Sequence, residues 1–134
     1  MTTYYLDANV LLRFLLQDNK SLARQAESYL TKAKKGQIQL IITPQVIFEI
    51  NYVLQKVYEL KKSQIIDYLS VLVKTPYLQV ESRQVLINSL KTYTQTNINL
   101  VDIYLFHLAK SQNAQVLSFD KHFVKLTCSE FKQF

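Results

Sequence analysis

Short runs of aromatic, β-branched and aliphatic residues alternate along this chain with longer runs whose apolar residues recur at helical spacing. This alternation restricts the fold more than any other feature. Strands separated by helices close into a parallel sheet with helical cover, because right-handed crossovers leave few other arrangements. TTYYL reads as a first strand ending at Asp7, followed by a helix carrying Val10, Leu11, Phe14 and Leu15. A second helix runs from about Leu22 to Lys34, buries Ala23, Ala26, Leu30 and Ala33, and stops at Gly36. QLIIT is the next strand, and Thr43-Pro44 matches an N-cap with proline in the first turn of a helix reaching about Tyr58.

Ser63 can cap a helix that runs through Val73 and ends at Thr75-Pro76, before a brief YLQV strand. Ser82 can start a helix ending near Thr94. Asn99 can cap another from Leu100 to Ser111, with Asn113 in the left-handed turn that follows. QVLSF is then expected as a last strand, with Asp120 at its C-terminal end. The expected fold class is α/β, a three-layer α/β/α sandwich on a mainly parallel sheet.

The chain has 134 residues, 49% of them hydrophobic, with one glycine, two prolines, no repeat and no low-complexity linker, so one domain over residues 1–134 is expected. No window reaches the roughly 18 to 20 apolar residues of a membrane span. The start lacks a basic leader and a small-residue cleavage site, and a cytoplasmic location is expected. Cys128 is the lone cysteine and reads as structural, and two histidines offer no compact zinc motif. The formal charge of +6 favours a polyanionic or acidic partner.

Against that basic background four acids stand out, each with a local role open to it. Asp7 can cap the helix that follows it. Glu49, among Val46, Ile50 and Val53, falls on or beside a core-facing stripe, where a lone carboxylate is costly. Asp102 follows the capping Asn99 by three residues, and Asp120 can start a turn by accepting a bond from the backbone two residues ahead. What local roles leave unexplained is that the acids fall at strand ends or on helices returning past one sheet edge, where open α/β sheets bind ligands. Carboxylates about 5 Å apart repel by roughly 3 kcal/mol at an effective dielectric near 20, so such a cluster protonates or binds a cation. All-oxygen ligands suit Mg²⁺ or Mn²⁺, which points to phosphodiester hydrolysis.

LDANVLLRFLL, FEINYVL, NLVDIYLFHLA and VLSFDKHFVKL resemble, in order, the four acidic motif regions of the PIN domain. The resemblance spans nearly the whole chain. It implies an acidic site of Asp7, Glu49, Asp102 and Asp120, with Asn9 and Ser118 bonding to the carboxylates or to metal waters. It further implies a Mg²⁺- or Mn²⁺-dependent endoribonuclease like the VapC-type toxins of toxin-antitoxin pairs, which are usually homodimeric and are inhibited by a cognate antitoxin. A noncatalytic RNA- or protein-binding module on the same fold is the alternative. A phosphoacceptor receiver-like domain would need a middle-strand aspartate that YLQV does not offer.

Other conspicuous residues have plainer readings. His107 and His122 lack a recognisable partner and read as structural or surface residues. Arg13 can reach a phosphate or form a helix salt bridge. Lys32, Lys34, Lys35, Lys61 and Lys62 read as solvated helix ends or RNA-steering patches. Tyr4, Tyr5 and Phe48 fall in segments read as core or subunit interface.

Overall fold

The computed structural model describes the backbone of residues 1–133 and the side chains of residues 1–127, so the structural role expected of Cys128 lies outside the described side chains. Two compact units are present, Met1–Arg83 and Gln84–Phe134.

In the first unit the strands are β1 (Thr2–Tyr5), β2 (Ile38–Ile42) and β3 (Gln79–Val80), and the helices are α1 (Ala8–Leu16), α2 (Lys20–Lys34), α3 (Pro44–Lys56) and α4 (Lys62–Lys74). The sheet order is β1-β2-β3, parallel throughout, with Tyr4 opposite Leu40 and Ile42 opposite Val80. The expected α/β class with a parallel sheet is therefore present. β2 lies in the middle because Leu40 and Ile42 are apolar enough to be buried, at 1% and 0% exposure. Leu11, Ile47, Ile50, Leu54, Ile65 and Leu69 complete a core to which each contributes roughly 1.5–3 kcal/mol by burial.

Most element boundaries follow local chemistry. α2 buries Ala23, Ala26, Leu30 and Ala33, as its spacing predicts, and gives way to Gly36 at φ +77°, a conformation glycine adopts without strain. It begins earlier than expected because the Asn19 side chain accepts the Leu22 N–H at 3.1 Å. Thr43 caps α3 by accepting the Val46 N–H, with Pro44 in the first turn. Ser63 is not the cap of α4: the helix starts at Lys62, and the Gln64 side chain accepts the Lys61 N–H at 3.1 Å. At the other end of α4, Arg83 donates to the carbonyls of Val73 and Thr75, at 2.8 and 2.9 Å, and to that of Leu78. One guanidinium thus satisfies the turn between α4 and β3.

Two further expectations in this unit are corrected. Glu49 is exposed, because the buried stripe of α3 is Ile47, Ile50, Asn51 and Leu54, and 100° per residue carries Glu49 to the far side. Of the core or subunit-interface reading of Tyr4 and Tyr5, the core part falls: they are 40% and 66% exposed, since aromatic residues suit a pleated surface without being buried. The Tyr4 ring instead packs edge-on against Tyr29, at 5.5 Å between centroids. Arg13 takes its salt-bridging role: Nη1 lies 3.0 Å from Asp18 Oδ2, Nη2 donates to the Tyr58 hydroxyl, and that hydroxyl donates to the same carboxylate.

Beyond Arg83, with which α5 (Arg83–Tyr93) begins, the second unit holds the rest of α5, α6 (Leu100–Ser111) and α7 (His122–Gln133). The expected strand over residues 115–119 is not formed. Residues 114–118 have no regular secondary structure, and Leu117 and Phe119 are fully exposed. An apolar run becomes a strand only where a neighbouring strand accepts its ladder, and among the described residues this segment joins none. No helix among the described residues is long and apolar enough to cross a membrane.

Candidate metal centre

The second unit brings two of the expected acids together. Asn99 ends the loop before α6, and its side chain accepts the Val101 N–H at 3.2 Å. Asp102, half-buried, follows in the first turn, where the helix presents its positive end to a carboxylate. At the far end of α6, Asn113 has φ +54°. Its N–H donates to the Lys110 carbonyl and that of Ala114 to the Ala109 carbonyl, the paired bonds of a Schellman turn. That turn sends the chain out of the helix towards Ser118 and Asp120.

Asp120 is held by two local hydrogen bonds, one through its backbone and one through its side chain. Ser118 Oγ accepts the Asp120 N–H at 2.9 Å, and Asp120 Oδ1 accepts the His122 N–H at 2.9 Å, the turn expected of an aspartate before a helix. The second bond has a consequence for the side chain of residue 122. His122 Nδ1 lies 3.2 Å from the same carboxylate oxygen. Asp102, Asp120 and His122 each offer one ligand atom, and the three lie within 4.8 Å of one another. Two carboxylates and one imidazole form an oxygen-rich donor set that fits a small divalent cation such as Mg²⁺ or Mn²⁺.

His122 is a surface residue, as expected, but it has the partner that its sequence context did not reveal, the Asp120 carboxylate. Spacing indicated only the backbone bond: in SFDKHF the histidine stands two places after Asp120, the position whose N–H an aspartate turn captures. His107 also has a partner, since its Nε2 lies 2.7 Å from Thr92 Oγ1, and Phe106 packs edge-on against the ring at 5.1 Å. Burial, and secondarily the charge of Lys110, lowers the His107 pKa. This histidine joins α5 to α6 and is spent on structure.

An open groove of about 790 Å³ lies beside Asp120 and Ser118, with Phe106, Val116 and Phe123 among its lining residues. Apolar surface and the Asp120 carboxylate thus share one concavity.

The remaining expected site residues belong to the first unit. Asp7 occupies the N-cap position of α1 with extended backbone, φ −82° and ψ 152°, yet its side chain makes no capping bond. Its carboxylate is exposed and not committed to the helix end. Asn9 and Glu49 are also exposed. The desolvation reason for singling out Glu49 therefore falls, and its place in the acidic set rests on the motif resemblance.

Comparison with curated proteins and with solved structures returned no match. The sequence profile of the PIN domain matches residues 4–127, from β1 into α7. That span includes all four acids, Asn9, Ser118 and His122. With nearly the whole length matched and an α/β structure on a parallel sheet, the chain belongs to the PIN domain family, whose members are generally nucleases that use divalent metals.

Proposed function

We propose that this protein is a metal-dependent endoribonuclease in a single domain over residues 1–134, hydrolysing RNA phosphodiester bonds with Asp7, Glu49, Asp102 and Asp120 as one acidic set. The observation that carries the reading is the convergence of Asp102, Asp120 and His122 within 4.8 Å in a chain of net charge +6. A basic protein that concentrates carboxylates has a use for a cation there, since their mutual repulsion otherwise opposes folding. When bound, Mg²⁺ or Mn²⁺ supplies Lewis-acid stabilisation of phosphate charge and lowers the pKa of a water.

The protein's own groups do the rest. Asp102 and Asp120 would hold the ion, and the bonds that join Asp120 to Ser118 and His122 keep it in one orientation. On the motif resemblance, Asp7 and Glu49 would serve as further ligands or orient the attacking water, with Asn9 bonding to them. Phe106 and Phe123 give bases of a single-stranded segment a surface to stack on beside Asp120.

The biological role proposed is that of a cytoplasmic toxin of the VapC type, acting as a homodimer and silenced by a cognate antitoxin. Exposed Tyr52, Val57 and Val71 on and beside α3 and α4 support contact between copies through apolar helix surface. Exposed Leu117, Phe119 and Val124 give an antitoxin apolar anchors near Asp120, where a basic side chain would neutralise the acids.

Product-end analysis on a labelled RNA tests the reaction. Attack by an oriented water, with the 3′ oxygen leaving, yields 5′-phosphate and 3′-hydroxyl ends. Ends of the 2′,3′-cyclic phosphate type would show that the ribose 2′-hydroxyl is the nucleophile and would overturn the assignment. RNA binding without any cleavage in Mg²⁺ or Mn²⁺ would favour a noncatalytic binding module.

A further inference from the structure

We infer that His122 is a direct ligand of the Asp102–Asp120 centre and gives it a preference for Mn²⁺ over Mg²⁺. This rests on the reading of that centre as a metal site. A His122 nitrogen shares the 4.8 Å span that holds one oxygen from each aspartate. Ligands about 2.0–2.2 Å from a shared ion stand no more than roughly 4.4 Å apart, so small side-chain rotations close the set.

Four observations support His122 as a ligand. Its N–H is bonded to Asp120 Oδ1 at 2.9 Å, so the residue is tied to the carboxylate it would serve beside. It is the first residue of α7, which fixes its backbone at that point. Its side chain is about half exposed, so the ring can turn onto an ion without disturbing a packed core. The 3.2 Å contact from Nδ1 to Oδ1 already places the ring against the aspartate.

The consequence is chemical selectivity. A purely carboxylate centre offers hard oxygen donors, which suit Mg²⁺ and Mn²⁺ alike. An imidazole among the ligands favours transition ions, whereas Mg²⁺ gains little from nitrogen. Substituting His122 should therefore change affinity for Mn²⁺ and leave affinity for Mg²⁺ nearly untouched. If His122 only orients Asp120, both ions should be affected together.

Mn²⁺ binding to the metal-free full-length chain, followed by electron paramagnetic resonance, and Mg²⁺ binding, followed by competition, separate these outcomes for wild type, His122→Ala and Asp120→Asn. The expected result is a loss in Mn²⁺ affinity of about tenfold or more in His122→Ala. Mg²⁺ affinity should change less than about threefold. Wild-type Mn²⁺ should show ¹⁴N hyperfine coupling from an imidazole, and His122→Ala should lose it. The wild-type measurement needs no variant to fold, and coupling that survives in His122→Ala would come from another residue and overturn the inference. Equal weakening of both ions, or Mn²⁺ binding that needs Asp120 but shows no nitrogen coupling, would overturn it while leaving the metal centre intact. Wild type that binds no Mn²⁺ at millimolar concentration would overturn both.

Discussion

Ser118 Oγ accepts the backbone N–H of Asp120 at 2.9 Å, so the hydroxyl holds the peptide that carries a proposed metal ligand. Both residues are exposed, and water can replace the bond when the hydroxyl is removed. Ser118→Ala should therefore cost less than about 1 kcal/mol of stability. Metal affinity should fall by about tenfold, the usual effect of losing a group that orients a ligand. Calorimetric titration with Mn²⁺ beside a thermal melt checks both, and unchanged affinity would remove Ser118 from the site.

Arg83 makes three bonds to main-chain carbonyls around the turn from α4 to β3. Arg83→Met keeps much of the aliphatic stem but leaves those carbonyls without their charged donor. A destabilisation of about 2–3 kcal/mol is expected in urea unfolding, since bonds to charged groups are the stronger kind. A loss under about 0.5 kcal/mol would mean that water satisfies the turn equally well.

His107 sets a pH dependence of folding. Burial and Lys110 lower its pKa in the folded protein, so the unfolded chain takes up a proton first as pH falls. The neutral ring's contribution is complete above the ordinary histidine value of 6.5 and is lost as pH falls from there through the lowered folded value. Around the ring, Thr92 Oγ1 lies 2.7 Å from Nε2 and Phe106 packs edge-on, while the charge of Lys110 opposes an imidazolium. Urea unfolding from pH 8 to pH 5 should show stability falling below about pH 6.5, with a shallower fall in His107→Gln. Identical pH profiles for the two proteins would contradict this.

Asp102→Asn separates chemistry from folding. Asparagine nearly preserves shape and deletes one of two carboxylates whose ligand atoms lie within 4.8 Å. Relief of their repulsion is worth about 1 kcal/mol at water-like screening. The lost benefit of an acid in the first turn of α6, typically about 0.3–1 kcal/mol, opposes it. The metal-free variant should melt at or slightly above the wild-type temperature, whereas added Mn²⁺ should stabilise only the wild type appreciably. A large loss of metal-free stability would make Asp102 a structural cap.

Local chemistry was legible where it depended on neighbours in sequence. The alanine stripe of α2, the Thr43-Pro44 start of α3, the Asn99 cap and the left-handed Asn113 all follow from side-chain type and spacing. What depended on distant partners was not. The residue 115–119 segment has strand-like composition but no ladder, and Glu49 stood next to the α3 stripe in sequence while facing away from it in space. The aspartate turn at Asp120 was legible in the spacing, but the turn of the His122 ring onto the same carboxylate was not, because backbone spacing does not fix a side-chain rotamer.

The most direct measurement is the rate at which purified protein cuts a defined single-stranded RNA in Mn²⁺ or Mg²⁺, set beside Asp120→Asn and beside wild type in excess EDTA. Asp120 contributes a carboxylate to the proposed centre and its side chain is exposed, so the variant should fold. Cleavage should require the ion and should fall at least about a hundredfold in Asp120→Asn, as expected when a metal ligand for phosphoryl chemistry is lost. Cleavage at the wild-type rate in EDTA, or by folded Asp120→Asn, would contradict a metal-dependent nuclease centred on Asp102 and Asp120.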